Sequence, residues 1–202
     1  MSQFRGLWLL CRPGFENDAG QEVVTRASEL GIYGYFIPSG IAGWLRFEVP
    51  GQDPFEQLFP NLNWRDLVFV RDWMVEVATV DPLPAMDRVG AVLNALNESA
   101  ERAPFARLEI HTPTEGAPTD LARFARKWTT PLARALREAA WLSSGSGAAA
   151  GGRQLEVLLP DFERAFVCVN LPGNGSPYPA GVPRLRMPRN APSRSTLKLD
   201  EA

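Results

Sequence analysis

The sequence predicts an α+β fold in which helices cover one face of a sheet. Three observations carry that expectation. Short runs rich in aromatic and β-branched residues recur along the 202 residues, separated by glycine and proline punctuation. Between them lie segments whose apolar residues return at helical spacing. Their order is β-α-β-β-α-β over residues 1–80 and helix-strand-helix-strand-strand over 81–171.

The first strand is predicted over residues 6–11, and Pro13-Gly14 turns the chain. Residues 16–30 read as a helix ended by Gly31, with Ala19, Val23, Ala27 and Leu30 on one side. Strands over 32–37 and 43–49 form a hairpin through Pro38, Ser39 and Gly40, a short helix covers 53–59, and a further strand lies within 67–80. That order is ferredoxin-like. Cys11 and Cys168 are far apart and each sits in an apolar run, which predicts buried free thiols rather than a disulfide. With His111 as the one histidine, no metal-ligand spacing or activated nucleophile emerges.

In the second unit a helix over 86–100 buries Val89, Val92, Leu93 and Leu96, and a strand over 106–111 puts Leu108 and Ile110 on one side. His111, at the strand end, is expected to be solvated or capping and has no catalytic role. Residues 142–152 form a Ser/Gly/Ala loop without the lysine of a phosphate-binding loop. Strands over 154–159 and 164–170 make a hairpin around Pro160-Asp161, and the turn-rich stretch after it offers Tyr178 for base stacking.

The most informative internal segment is 119–142. At helical spacing Leu121, Phe124, Ala125, Trp128, Leu132, Ala135, Leu136 and Ala139 gather on one side. Arg123, Arg126, Lys127, Arg134 and Arg137 gather on the other. Pro131 leaves two arrangements open, a kinked continuous helix or a second helix capped by Thr130. Asp120 and Glu138 alone offset the five bases, so the ridge is either a solvated face or a surface for phosphates. The net charge of −2 hides an asymmetry: residues 1–117 carry −7 and residues 118–202 carry +5. The positive half is the candidate polyanion face.

From about residue 182 the chain is expected to run extended, because Pro183, Pro188 and Pro192 remove donors and disfavour the α region before them. This stretch carries Arg184, Arg186, Arg189, Arg194 and Lys198 with no acid between Val182 and Leu199. It reads as a solvated basic tail or as a linker lying against a polyanion. Ser193 or Ser195 can cap a helix that begins with Leu197, Leu199, Asp200 and Glu201 and is too short to stand alone.

Residues 191–202 (APSRSTLKLDEA) resemble the opening of the catalytic domain of the large-subunit ribosomal RNA methyltransferase M family. The resemblance extends through 10–16 (LCRPGFE), 70–73 (VRDW), 126–132 (RKWTTPL) and 181–186 (GVPRLR). It implies a THUMP-related RNA-binding portion joined to an FtsJ-type, Rossmann-like methyltransferase domain that uses S-adenosylmethionine on a cytidine ribose 2′-hydroxyl of 23S rRNA. On that basis residues 1–80 are a ferredoxin-like subdomain, 81–171 a THUMP-like subdomain, 172–192 a linker, and 193–202 the first residues of the methyltransferase domain. The resemblance also implies that Lys198 is catalytic in a full-length parent, while the chain alone is inert and binds no cofactor.

RNA contacts are expected from Arg123, Arg126, Lys127, Arg134, Arg137, Arg184, Arg186, Arg189 and Arg194. The expected partner is 23S rRNA, with no DNA, membrane or obligate protein partner. No apolar run reaches the roughly 18 residues of a membrane span and no secretory signal is read, so a cytoplasmic location is expected. The competing reading is a stand-alone α+β protein-interaction domain with a basic tail.

Overall fold

The computed structural model describes residues 6–51, 54–99, 101, 104–143, 152–170, 173–178 and 181–182. Strands β1 (Leu7–Cys11), β2 (Tyr35–Pro38), β3 (Trp44–Glu48), β4 (Val70–Val80), β5 (Arg107–His111), β6 (Gln154–Leu158) and β7 (Ala165–Asn170) form one sheet in the order β2-β3-β1-β4-β7-β6-β5. Helices α1 (Glu16–Glu29), α2 (Pro54–Gln57), α3 (Arg88–Glu98) and α4 (Leu121–Glu138) complete the regular structure, with a 3₁₀ turn at Trp64–Asp66. The first four strands have the ferredoxin-like arrangement. All pairings are antiparallel except β5 with β6, which α4 connects as a crossover.

Alternation along the strands sorts side chains onto two faces. On the helical face, Leu7, Leu9, Leu45, Phe47, Trp73 and Val75 pack with Ala19, Val23 and Ala27 of α1. Further along that face, Leu155, Val157, Val167 and Val169 pack against Val92 and Leu96 of α3 and Trp128, Leu132 and Leu136 of α4. The opposite face holds Trp8, Leu10, Trp44, Met74, Leu158 and Cys168. Both cysteines are free and buried, and burial pushes the Cys11 thiol up to about 12.

Three expected features change. Leu30 does not join the α1 stripe; it caps the helix and is 43% exposed, because Gly31 (φ +75°) reverses the chain and Ile32 is buried in its place. The second strand begins at Tyr35 rather than residue 32 for the same reason, Ile32 N–H still donating to the Ala27 carbonyl at 2.9 Å. The long helix ends at Glu138, where Ala140 adopts φ 58° and Trp141 N–H returns to the Leu136 carbonyl at 2.8 Å.

The stretch after β7 is tied back onto the first half of the chain. Asn174 accepts from Trp64 N–H (2.8 Å) and donates its amide to the Phe59 and Leu62 carbonyls (2.7 and 2.9 Å). Its own carbonyl receives Trp73 Nε1–H at 2.6 Å. Beside it, the buried Asp72 carboxyl accepts from Ser176 N–H (2.9 Å) and from the Asn170 amide (3.3 Å). Gly175 is needed here, since a Cβ would collide with the buried Asn170 side chain.

Burial pushes the Asp72 carboxyl up to about 7 from its ordinary 3.8, against the hydrogen bond from Ser176. The folded chain therefore keeps a proton that the unfolded chain has released above about pH 4. Asp72 thus contributes stability that is fully present at low pH and falls as pH rises toward 7. In urea melts, the difference in unfolding free energy between pH 5 and pH 8 is expected to shrink in Asp72→Asn, which keeps an acceptor oxygen; an unchanged difference would contradict this assignment.

Candidate nucleic-acid interface

The amphipathic pattern of α4 becomes a physical division of the helix. Leu121, Ala125, Trp128, Leu132 and Leu136 are buried, and Phe124 stacks on Trp128 with ring centroids 5.6 Å apart. Arg88 of α3 sits 4.9 Å above the Phe124 ring and Phe162 meets its edge at 5.5 Å, so the rotation of the helix about its axis is set from several sides. With that face inward, Arg123, Arg126, Lys127, Arg134 and Arg137 are all exposed.

Pro131 lies inside the helix without breaking it. The phase is kept through this point, which settles the two arrangements left open by the sequence in favour of one continuous helix. From Arg123 to Arg137 the ridge extends about 21 Å at 1.5 Å per residue. Arg123 pairs with Asp120 at 3.0 Å and Arg134 with Glu138 at 3.8 Å, both on well-hydrated surface where such pairs contribute about 0–1 kcal/mol. Among the described residues, Arg126, Lys127 and Arg137 have no acidic partner. The ridge therefore keeps an excess of positive charge on a fixed scaffold, as phosphate binding requires.

Other cations are more fully used within the fold. A cavity of about 240 Å³ on the other side of the sheet is lined by Arg65, Arg107, Gln154, Asn170 and Ser176 among others. Its Arg107 donates to Gln154 at 2.8 Å and pairs with Glu109 at 3.4 Å. Arg46 is likewise held between Glu48 and Glu76 at 3.6 and 3.7 Å. Arg184, Arg186, Arg189, Arg194 and Lys198 lie outside the described residues. Tyr178 is 48% exposed.

His111 is neither solvated nor a cap. It is buried on the sheet face opposite the helices, with Nε2 2.6 Å from a Glu156 carboxylate oxygen. Burial lowers the imidazole pKa, but the hydrogen bond and charge of Glu156 outweigh this and raise it overall. The adjacent Cys168 is the cross-strand neighbour of both Glu156 and Glu76, and Glu76 in turn accepts from Trp8 Nε1–H at 2.8 Å. These buried polar groups satisfy one another and form no open reaction site. Local periodicity does not reveal this pairing; its one signal in the sequence is that acids at 76 and 156 interrupt apolar strands.

Among the described residues no group of three His, Cys, Asp or Glu side chains is arranged to hold a metal ion. The described residues also offer no glycine-rich cradle for a nucleoside cofactor. The connection from β5 into α4 contains Pro113, Gly116 and Pro118 rather than clustered glycines, so close backbone approach to a ligand is not provided for. The described residues do not fit S-adenosylmethionine.

The fold and the ridge together define an α+β module that presents one positively charged helix face to solvent. Residues 4–74 match the RlmM ferredoxin-like domain, and residues 87–171 match the model for ribosomal RNA large subunit methyltransferase M, N-terminal. The chain belongs to the ribosomal RNA large subunit methyltransferase M family, of which it carries these N-terminal domains. It is 48% identical to the Marinobacter nauticus protein of that name, across 97% of this chain and 54% of that protein. The Aromatoleum aromaticum protein is 36% identical (98% and 52% covered), and that of Haemophilus influenzae strain PittEE 34% identical (97% and 54%). The chain thus spans about half the length of the curated relatives it matches.

Proposed function

We propose that this chain is the RNA-binding N-terminal portion of an S-adenosylmethionine-dependent 23S rRNA (cytidine-2′-O)-methyltransferase. It holds rRNA so that a catalytic domain, supplied by the half of the family's length that this chain does not span, reaches a ribose 2′-hydroxyl. The observation that carries the reading is the opposition of stripes on α4, where the packing that buries Trp128, Leu132 and Leu136 also turns five bases outward. Family membership supports rRNA as the polyanion. The module comprises a ferredoxin-like subdomain through residue 80 and a THUMP-like subdomain over 81–171, followed by a basic linker whose arginines add to its affinity for RNA. The protein acts in the cytoplasm.

Binding to a domain-sized 23S rRNA fragment is expected to be roughly micromolar at physiological salt and to weaken steeply as salt rises, each neutralised phosphate adding about 0.7–0.9 to the slope. The combined change of Arg123, Lys127, Arg134 and Arg137 to alanine should lower affinity by about 10-fold or more and flatten that slope. Because all four are exposed, the variant should melt like the parent. Equal affinity in a folded quadruple variant would remove the ridge from the interface.

Lys198 is the residue assigned to the reaction, in a longer protein that includes the methyltransferase domain. A lysine placed at the ribose can orient the hydroxyl or take its proton. Lys198→Ala in that protein should lower single-turnover methyl transfer to bound RNA by ~10²-fold or more while leaving RNA affinity intact. Arginine should not restore the rate fully, since guanidinium keeps its proton near neutral pH. An unchanged rate in Lys198→Ala would show that the residue has no part in the chemistry.

A further inference from the structure

The middle of the basic ridge is not basic. Along the exposed face of α4, Arg123, Arg126 and Lys127 fill the first half and Arg134 and Arg137 the second. The turn between them presents Thr130 and Pro131, both exposed. No buried contact accounts for a proline there, because the neighbouring Trp128, Leu132 and Ala133 supply the packing of that turn.

Proline has a definite chemical consequence at this position. It has no N–H, so the carbonyl of Lys127, four residues earlier, lacks the donor that an uninterrupted helix supplies. No side chain among the described residues donates to it. The two neighbouring threonines also differ: Thr129 spends its hydroxyl on the Ala125 carbonyl at 2.9 Å, whereas Thr130 makes no such bond. The centre of the ridge therefore holds, at exposed Thr130 and Pro131, an uncommitted hydroxyl beside a carbonyl that has lost its i+4 donor, flanked at both ends by cations.

That order of groups matches one surface of RNA. The minor groove of an A-form helix is wide and shallow and displays ribose 2′-hydroxyls between rows of phosphates. B-form DNA has a narrower minor groove and no such hydroxyl. We infer that α4 lies across the minor groove of an A-form segment, its two basic clusters on the flanking phosphates and its Lys127 carbonyl and Thr130 hydroxyl accepting ribose 2′-hydroxyls between them. This rests on the RNA-binding reading and adds to it the groove and the sugar atom recognised. Thr130 and Pro131 become specificity determinants, separate from the charges that supply affinity.

The test uses this chain with an RNA duplex of roughly 16 base pairs, a length that spans successive minor grooves. A second duplex of the same sequence carries 2′-fluoro riboses, which keep the A-form and cannot donate a hydrogen bond. The parent should bind the hydroxyl duplex about 3–10-fold more tightly, the scale of one or two net hydrogen bonds. Pro131→Ala returns an N–H to the Lys127 carbonyl and suits a helix, so it should fold and lose most of that preference. Thr130→Val, which leaves the backbone unchanged, should lose part of it. Both variants should keep the parent's affinity for the fluoro duplex and its salt dependence. Salt-sensitive binding by the parent with no preference between duplexes, or a preference undiminished in both variants, would overturn the inference while leaving RNA binding standing. Absence of salt-sensitive binding to either duplex by the folded parent would overturn both.

Discussion

Strand β4 is the constraint on which the rest of the architecture depends. Its eleven residues pair with β1 along one part and with β7 along another, with a register shift between Glu76 and Ala78. Trp73 and Val75 consequently serve the core under α1, whereas Val77, Ala78 and Val80 serve the core under α3 and α4. One strand thus joins two apolar cores into one sheet; the first matched domain ends within it at residue 74, and the second begins beyond it at residue 87. The bonds of Asn174 and Asp72 close the same connection from the end of β7. Sharing a strand makes the halves mechanically one platform, against which α4 is held.

On that platform, the outward display of the basic ridge is a by-product of burial. Each large apolar side chain taken fully into the core stabilises the fold by about 1.5–3 kcal/mol, and α4 commits Leu121, Trp128, Leu132 and Leu136 to that role. The cost of exposing any of them would exceed the weak repulsion among hydrated bases spaced along the opposite face. The ridge is therefore presented without a dedicated interaction to hold it out. Pro131 fits the same logic: a proline in a helix interior costs about 3 kcal/mol in isolation, which packing on both sides of it offsets.

Local periodicity made much of this fold legible. The runs that became β1, β3 and β5 and the stripes of α1, α3 and α4 were readable because their spacing repeats within a few residues. Non-local pairing was not readable in the same way. His111 looked like a strand-end residue because its partner, Glu156, lies 45 positions later and comes beside it only through the parallel β5–β6 pairing. Leu30 looked apolar and therefore buried, yet the left-handed Gly31 rotates it out by ending the helix one residue before. The basic stripe itself was visible, but its continuity was not: periodicity alone cannot decide whether helical phase survives a proline, and only the packing of Trp128 and Leu132 on either side decides it.

If one face of α4 is the RNA surface of this module, it should respond to RNA before any other part of the sheet or its helices. Titrating an isotope-labelled chain with an rRNA duplex and following backbone amide shifts tests this most directly, since every face of the sheet is observed at once. The largest changes are expected to cluster on the exposed positions between Arg123 and Arg137, while the edge strand β2 and the buried His111–Glu156 pair stay unperturbed. Changes centred on Tyr33, Tyr35 and Ile37, with α4 silent, would contradict it.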